Sequence, residues 1–292
     1  MRRRDFLIGS IAAASTAACV GAHAVPRMAK LDRVGVMSGD FDSVLAETRD
    51  WSQRVPPKEL DILDFPQMLA DHYDIHNVEV QQFHFLSMEP SYFEKFLGRL
   101  RKAKSRMIDM PLELGTSGYN ETISPCSPDP QIRAHAIELT KLWIDRAAMI
   151  ECPSVMVNQG RTFGDDLTPA VDALKTLRDY GKSKNVAIIM EDRGSISVDT
   201  LVKVIKDSGI YANPDIGNFS DEASTERGLR LMYPLALTVS HVKWNPQKFD
   251  FAKAIQISKD MGFKGVYSLE TRGGPEPYAT IQTLLDRLLE NL

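Results

Sequence analysis

The chain has 292 residues, of which 35 are Lys or Arg and 39 are Asp or Glu, so its formal charge at pH 7 is −4. This length suits one large α/β barrel or two small domains, and it is ample for a sizeable core. The acidic balance makes nucleic acid a poor partner, because nucleic-acid-binding surfaces need an excess of basic side chains.

Residues 1–24 have the pattern of an export signal. Arginines at positions 2–4 precede Phe6 and Leu7, and an Ala-rich apolar run then ends in Ala22-His23-Ala24. Twin arginines followed by x-Phe-Leu are typical of a Tat signal, and the small-x-small triplet predicts cleavage after Ala24. The run is broken by Ser, Thr and Gly, whereas a membrane span needs about 20 strongly apolar residues. We therefore expect a periplasmic or otherwise exported protein that engages the Tat machinery and is not stably inserted in a membrane.

Cys126 and Cys152 are the only cysteines after the signal, and export could oxidise them into a disulfide. Apolar residues at helical spacing over 132–150 predict a helix roughly 30 Å long between the two thiols. We therefore predict two free cysteines. Cys19 lies within the signal, and its lipidation stays open because Thr16 stands where lipoprotein signals usually have an aliphatic residue.

Past the signal, short apolar β-branched segments alternate with amphipathic segments, and no Pro/Gly-rich linker divides them. The first strand is followed by a long connection with Pro56 and Pro57, which we expect to cover the mouth of the fold. Eight strands are predicted, at Val34 to Met37, Val78 to Phe85, Arg106 to Leu112, Ser154 to Asn158, Val186 to Glu191, Tyr211 to Ile216, Leu237 to Lys243 and Gly265 to Glu270. Eight helices are predicted, near residues 65–74, 91–104, 130–150, 168–184, 198–208, 222–233, 249–261 and 276–291.

Alternating strands and helices predict a parallel sheet, and eight such units predict one closed (β/α)8 TIM barrel over residues 25–292. The alternative is an open doubly wound sheet, which would normally show a Gly-rich phosphate-binding turn after an early strand. Neither segment 36–40 nor segment 115–118 has that pattern. The single α/β barrel is therefore the predicted fold.

Four potential metal ligands stand at the ends of the last four predicted strands. Glu191, Asp215 and Glu270 end strands five, six and eight, and His241 lies late in strand seven. Spacings of 24, 26 and 29 residues, each near one βα repeat, place the four side chains at similar height at one mouth of the barrel. Singly, Asp215 could cap a helix and His241 could be a core histidine. Together they favour one divalent metal ion, most suitably Mn²⁺, with Mg²⁺, Co²⁺ or Zn²⁺ also compatible.

The segments around these residues resemble a known family. Residues 190–194 (MEDRG), 215–219 (DIGNF), 241–243 (HVK) and 262–270 (GFKGVYSLE) are similar to xylose isomerase-like TIM barrels of the sugar phosphate isomerase/epimerase type. The resemblance implies that a metal ion chelates a sugar carbonyl and a neighbouring hydroxyl and stabilises an enediolate. It also implies that Glu191 and Glu270 are both ligands and acid/base groups. Ketose epimerases of the family usually have His and Arg where this chain has Asn218 and Gln247, a departure from the epimerase pattern.

Further candidates lie at the predicted mouth. Lys243, on the same side of its strand as His241, could steady an oxyanion or act as an acid, and Trp244 could stack on a sugar face. Five other side chains could bind the hydroxyls or a carboxylate of a substrate: His84, Asn158, Arg161, Arg193 and Arg272. The alternatives are core packing or support of another site residue for His84, rim packing for Trp244 and a solvated side chain for Lys243 and the arginines.

These features favour an exported, divalent-metal-dependent isomerase or epimerase that acts on a keto- or hydroxy-sugar. A lyase or dehydratase that acts on an oxidised sugar or glycoside is the main alternative, because it begins with the same enolisation. A non-catalytic sugar-binding barrel is less expected, since none of the four ligands is lost. The DNA-repair endonucleases built on the same barrel are disfavoured by the few histidines and the acidic charge. Export also argues against a phosphorylated substrate, and nothing in the sequence predicts the oligomeric state.

Overall fold

The computed structural model describes residues 26–46, 59–114, 123–193, 196–271 and 273–292. The predicted signal with its cleavage site and Cys19, the connection with Pro56 and Pro57, and Arg272 lie outside the described residues. No helix within the described ranges is long and apolar enough to span a membrane.

Strands and helices alternate along the described chain. The strands are β1 Val34–Met37, β2 Asn77–Glu79, β3 Arg106–Pro111, β4 Ser154–Val157, β5 Ala187–Glu191, β6 Tyr211–Asn213, β7 Val239–Val242 and β8 Val266–Leu269. The helices are α1 Arg27–Leu31, α2 Phe65–Tyr73, α3 Pro90–Lys102, α4 Pro130–Met149, α5 Thr168–Ser183, α6 Val198–Ser208, α7 Glu222–Met232, α8 Phe251–Asp260 and α9 Pro277–Asn291.

The eight strands form a barrel in chain order. Each strand from β1 to β5 pairs in parallel with the next, β7 pairs with β8, and β8 pairs with β1. The remaining seam, between β6 and β7, is joined by a parallel bridge between Asp215 and His241. Across it the Ile216 N–H donates to the His241 carbonyl (3.0 Å), and the His241 N–H donates to Asn213 Oδ1 (3.1 Å). The predicted (β/α)8 barrel is confirmed, and the open doubly wound sheet is excluded.

The barrel interior positions the site. It is filled by an apolar cluster that is distinct from the larger core around the barrel. Five strands contribute one residue each: Ile108, Met156, Ile189, Val239 and Val266. These strands lie on different sides of the barrel, so their side chains meet only inside it. Side chains two positions further along a strand point the same way. Glu191 and His241 therefore stand one layer above Ile189 and Val239, toward the mouth at the strand ends.

β2 is shorter than predicted. It ends at Glu79 instead of Phe85, and Gln82–His84 forms a 3₁₀ turn. The pairing of β2 with β3 shifts after Val78, where Ile108 is the extra residue in β3. The whole run is buried, and burial alone does not distinguish a strand from an irregular inner segment. His84 is consequently not at a strand end.

β6 is also shorter than predicted, because Pro214 has no N–H with which to continue the ladder. Asp215 therefore lies just beyond β6, although the bridge at the seam keeps it beside His241. Helix α1 was not predicted. It is tied to the end of the chain by a hydrogen bond from Lys30 Nζ to the Leu289 carbonyl (2.6 Å).

The two described cysteines are free thiols, as predicted, and both are buried. Cys126 precedes the 20-residue helix α4, and Cys152 follows it. The helix holds the two thiols at its opposite ends, which prevents a disulfide.

Candidate metal centre

The four predicted ligands converge at the barrel mouth. One ligand atom from each of Glu191, Asp215, His241 and Glu270 can be chosen so that all lie within 4.8 Å of one another. Oxygen ligands stand about 2.1 Å from Mg²⁺, so ligands on opposite sides of such an ion are roughly 4.2 Å apart. A small inward movement of these side chains would bring the ligand atoms to coordination distance from one ion. The cluster therefore fits a single divalent ion.

His241 is held at both ring nitrogens. Its Nδ1 faces Glu191 Oε1 at 2.8 Å and Glu270 Oε2 at 3.1 Å, whereas its Nε2 faces Glu79 Oε1 at 2.8 Å. A carboxylate at Nε2 favours a proton on that nitrogen, which leaves the Nδ1 lone pair for a metal. Glu79 thus orients the histidine as a ligand.

Glu79 is a site residue that sequence reasoning missed. It is the last residue of β2 and is fully buried, between Val78 and Val80. A lone acid in an apolar strand is a usable signal, because buried charges need a partner. Its register neighbour on β3 is Asp109, whose Oδ1 accepts a hydrogen bond from Ser154 Oγ (2.6 Å).

Nearby positive charge keeps two of the acids ionised. Burial raises the pKa of Glu191, but His241 and basic neighbours lower it to well below its usual range. Burial also raises the pKa of Glu270, and Lys243 with His241 lowers it below the ordinary value. Asp215 is fully buried, which raises its pKa to about 7 despite the lowering effect of Lys243. Three acids this close repel one another, and a bound cation would offset that repulsion.

Lys243 lies beside two of the ligands, where the sequence predicted an oxyanion-binding or acid role. Its Nζ contacts Asp215 Oδ2 and lies 2.9 Å from Glu270 Oε1 and 3.0 Å from Asn218 Oδ1. Gly217 makes this approach possible, because a Cβ at that position would overlap the stem of Lys243. The lysine is therefore fixed next to the metal ligands.

Arg193 and Asn158 are turned toward protein partners. Arg193 Nη2 lies 2.6 Å from Glu113 Oε1, and its Nε lies 3.0 Å from Glu191 Oε2. Asn158 Nδ2 donates to the other oxygen of Glu113 at 3.3 Å. The sequence predicts substrate contacts for both residues; the structure places both beside Glu113, and Arg193 also contacts Glu191. Glu113, which links them, was not singled out from the sequence.

The sequence predicts a substrate contact for His84, and the structure places this residue inside the protein. It is fully buried, with Nδ1 2.8 Å from Ser38 Oγ and Nε2 3.1 Å from Asp42 Oδ1. The order Ser, His, Asp resembles a hydrolase triad, but Ser38 is fully buried too, and its Oγ accepts from the Gln81 N–H (2.9 Å). These contacts are structural.

A cavity of about 740 Å³ opens beside the ligand cluster. Its wall includes Glu270, Lys243 and Trp244, and Trp244 is 44% exposed. Ligand pockets typically have volumes of about 300–1,000 Å³, so the cavity can hold a monosaccharide. Trp244, for which the sequence predicts stacking on a sugar, lines the cavity, whereas Arg161 is exposed on the loop after β4 and does not line it.

Comparisons with known proteins agree with this geometry. Residues 69–290 match the family model of the xylose isomerase-like TIM barrel. No curated protein matches the sequence significantly.

Three solved structures illustrate the likeness in fold. L-ribulose 3-epimerase has a TM-score of 0.66 at 14% identity, over 88% of this chain and 94% of that one. D-psicose 3-epimerase, determined in the presence of D-fructose, has a TM-score of 0.64 at 12% identity, over 89% and 95%. A xylose isomerase-like TIM barrel protein from Mycobacterium smegmatis, in complex with magnesium, has a TM-score of 0.61 at 14% identity, over 89% and 97%. The family model spans most of the chain, and the protein belongs to the xylose isomerase-like TIM barrel family.

Proposed function

We propose that the protein is a divalent-metal-dependent isomerase or epimerase that acts on a keto- or hydroxy-sugar outside the cytoplasm. The observation that carries the proposal is the position of Glu270, which belongs to the four-ligand cluster and also lines the mouth cavity. The Glu270 carboxylate can thus be a ligand of a bound ion and also act on a carbon atom of a substrate in the cavity. The sugar epimerases that share the fold support this substrate class.

The reaction would start with removal of a C–H proton next to a carbonyl. A divalent ion held by Glu191, Asp215, His241 and Glu270 would supply Lewis-acid polarisation of that carbonyl. Glu270 is ionised and faces the cavity, so it is the group placed to remove the proton. Lys243 Nζ, 2.9 Å from Glu270 Oε1, is placed to donate a hydrogen bond to the developing oxyanion or to return a proton.

Glu191 has one oxygen facing His241 and the other facing Arg193, and unlike Glu270 it does not line the cavity. An isomerase that moves a proton along one face of the substrate needs Glu270 alone as its base. An epimerase must return the proton to the opposite face, and in that case Glu191 is the second acid/base group.

The proposal is tested by deuterium exchange. Metal content of the purified protein is measured first, with Mn²⁺ the expected ion. The loaded protein is then incubated with D-fructose, D-tagatose or L-ribulose in D₂O. We expect deuterium at the carbon next to the carbonyl, and we expect Glu270→Gln to lower the exchange rate by roughly 10²-fold or more.

Glu276→Gln is the matched control, since Glu276 is an exposed acid on the same β8–α9 connection. It should exchange at the wild-type rate. Full activity of Glu270→Gln, or a protein that binds no metal, would contradict the proposal.

A metal-dependent lyase or dehydratase is the second candidate, and the position of Lys243 favours it. An ammonium group that contacts two ligands and lines the cavity could protonate a departing β-oxygen after enolisation. Product analysis separates the two functions, because a lyase releases a dehydrated sugar whereas an isomerase conserves the formula.

A further inference from the structure

The cavity beside Glu270 is more basic than the metal ligands require. Lys243, Lys248 and Arg287 all line it. Lys243 is paired with acids of the metal centre, whereas within the described residues neither Lys248 nor Arg287 pairs with an acid. Arg287 Nε is buried and has no hydrogen-bond partner among the described residues. This excess of positive charge occurs in a chain whose net charge is −4, so it is a local feature of the cavity.

Arg287 is held in a defined orientation. The guanidinium carbon lies 3.9 Å from the centroid of the Trp244 ring. Stacking of this kind fixes the plane of a guanidinium and leaves its N–H edge free to bind a planar anion at two points. Arg287 comes from α9, whereas Trp244 and Lys248 come from the connection between β7 and α8. Both elements thus present cations to the same cavity.

The rest of the wall suits sugar hydroxyls. Thr280 Oγ1 donates to the Glu276 carbonyl (2.8 Å), and Thr283 Oγ1 donates to the Ala279 carbonyl (2.9 Å). Since each hydroxyl proton is already used, these oxygens are free only to accept, and hydroxyl groups of a ligand can donate to them. The cavity therefore combines acceptors for hydroxyls with cations for an anion.

We propose that the substrate is an acidic keto-sugar whose terminal anionic group binds between Lys248 and Arg287, while Glu270 faces the carbon that loses its proton. The inference rests on the proposed function and narrows its substrate class. A planar carboxylate matches the edge of the stacked guanidinium, so the group is a carboxylate. A terminal phosphate shares the same negative charge and is distinguished by the experiment.

The experiment measures binding without turnover. D-fructose, D-fructuronate and D-fructose 6-phosphate differ only at carbon 6, and each is titrated into the metal-loaded protein in a calorimeter. Charge-assisted hydrogen bonds should make D-fructuronate bind roughly tenfold to hundredfold more tightly than D-fructose. The double variant Lys248→Met/Arg287→Met keeps the apolar stems and should bring this ratio close to one.

Lys206→Met is the matched control, because Lys206 is exposed in the last turn of α6 and does not line the cavity. It removes one positive charge elsewhere and should keep the full ratio. Equal binding of D-fructose and D-fructuronate overturns the inference. So does a preference that survives in the double variant, since the carboxylate would then be held elsewhere, for example on the metal. Tighter binding of D-fructose 6-phosphate than of D-fructuronate overturns the assignment of a carboxylate.

The outcomes also separate this inference from the proposed function. Deuterium exchange with D-fructose, but no preference for D-fructuronate, removes the anion-binding role and leaves the enolising chemistry. A preference for D-fructuronate that depends on Lys248 and Arg287, without exchange for any sugar, supports the anion-binding role and removes the proposed reaction.

Discussion

A histidine that binds a metal through one ring nitrogen needs a proton held on the other. His241 meets this requirement through Glu79, which faces Nε2 at 2.8 Å. Burial lowers the pKa of His241, but Glu79 and Glu191 raise it to well above its usual range. A metal at Nδ1 therefore competes with a proton, and the charge of Glu79 compensates for the positive charge placed on the ring.

The first prediction concerns this contact. Glu79→Gln keeps the shape of the side chain and one acceptor oxygen but removes its negative charge. We expect the affinity for Mn²⁺ to fall by about 10–100-fold, measured by competition with a chromogenic chelator. Glu138→Gln, on the exposed surface of α4, should bind Mn²⁺ like the wild type. Unchanged affinity in Glu79→Gln would show that the Nε2 contact does not support the ligand.

A second prediction concerns the buried thiol of Cys126. Burial raises its pKa from the ordinary 9.0 to about 12. The folded chain thus keeps a proton that the unfolded chain loses above pH 9, so the stabilisation is complete below pH 9 and is lost as the pH rises toward 12. We expect the free energy of unfolding to fall by about 1.4 kcal/mol per pH unit above 9 from this group.

The measurement is the urea midpoint of wild type and Cys126→Ala at pH 8 and pH 10. The variant is less stable at pH 8 because it lacks the sulfur, but it should lose less stability on going to pH 10. Parallel losses in the two proteins would refute the assignment of the pH dependence to Cys126.

The residues of the candidate site were predictable where the position of each within its own βα repeat was enough to identify it. Glu191, Asp215, His241 and Glu270 are predicted from strand ends at the spacing of the barrel repeat, and the structure brings all four together at or just beyond those ends. The partners of Arg193 and Asn158 were not predictable, because both contact Glu113, which follows β3 and is far away in the sequence. Contacts of that kind depend on the closed barrel and leave no local pattern.

At the scale of the elements, α9 connects the core to the cavity. Its buried face includes Ile281, Leu284, Leu285 and Leu288, as the apolar spacing predicted. Thr280 and Arg287 line the cavity wall together with Leu284 of the buried face. The position of this wall therefore depends on how firmly α9 is packed on the barrel.

The third prediction tests that packing. Leu285 is completely buried, so Leu285→Ala should lower the free energy of unfolding by about 2–5 kcal/mol through lost burial and the cavity left behind. The measurement is urea unfolding followed by circular dichroism at pH 7. Leu142→Ala is the control, since Leu142 on α4 is 39% exposed and should cost far less. Equal losses in the two variants would show that α9 is not held by this contact.

The elements that sequence described least well are the short ones. The sequence predicts β6 as far as Ile216, whereas the missing N–H of Pro214 ends the ladder at Asn213. The sequence also predicts strand from Val80 to Phe85, but these residues form a buried 3₁₀ turn and irregular chain. In both cases the hydrophobic pattern correctly predicts that the residues are buried, but it does not predict whether they form strand hydrogen bonds.

For the whole molecule, the contacts that close the barrel also bring two of the candidate metal ligands together. The seam between β6 and β7 is joined at Asp215 and His241, which are two of the four candidate ligands. A metal bound there would hold the two sides of the seam together, so the ion and the closed barrel stabilise each other. Because the ligands come from both sides of this seam, the site is formed only in the folded chain.

The last prediction concerns where this folded chain is delivered. The Tat machinery exports folded proteins, which suits a barrel whose metal site exists only after folding, and the pattern Arg3-Arg4-Asp5-Phe6-Leu7 is typical of its signals. We expect the wild type to accumulate in the periplasm of a Gram-negative host as a chain beginning at Val25, detected by intact-mass spectrometry of the periplasmic fraction.

The variant Arg3→Lys/Arg4→Lys keeps the charge but alters the twin-arginine pair, and it should remain in the cytoplasm as the uncleaved precursor. Arg27→Lys, just beyond the predicted cleavage site, should be exported normally. Equal export of the twin-lysine variant would refute the Tat assignment, and a chain retained whole in the cytoplasm of the wild type would refute export.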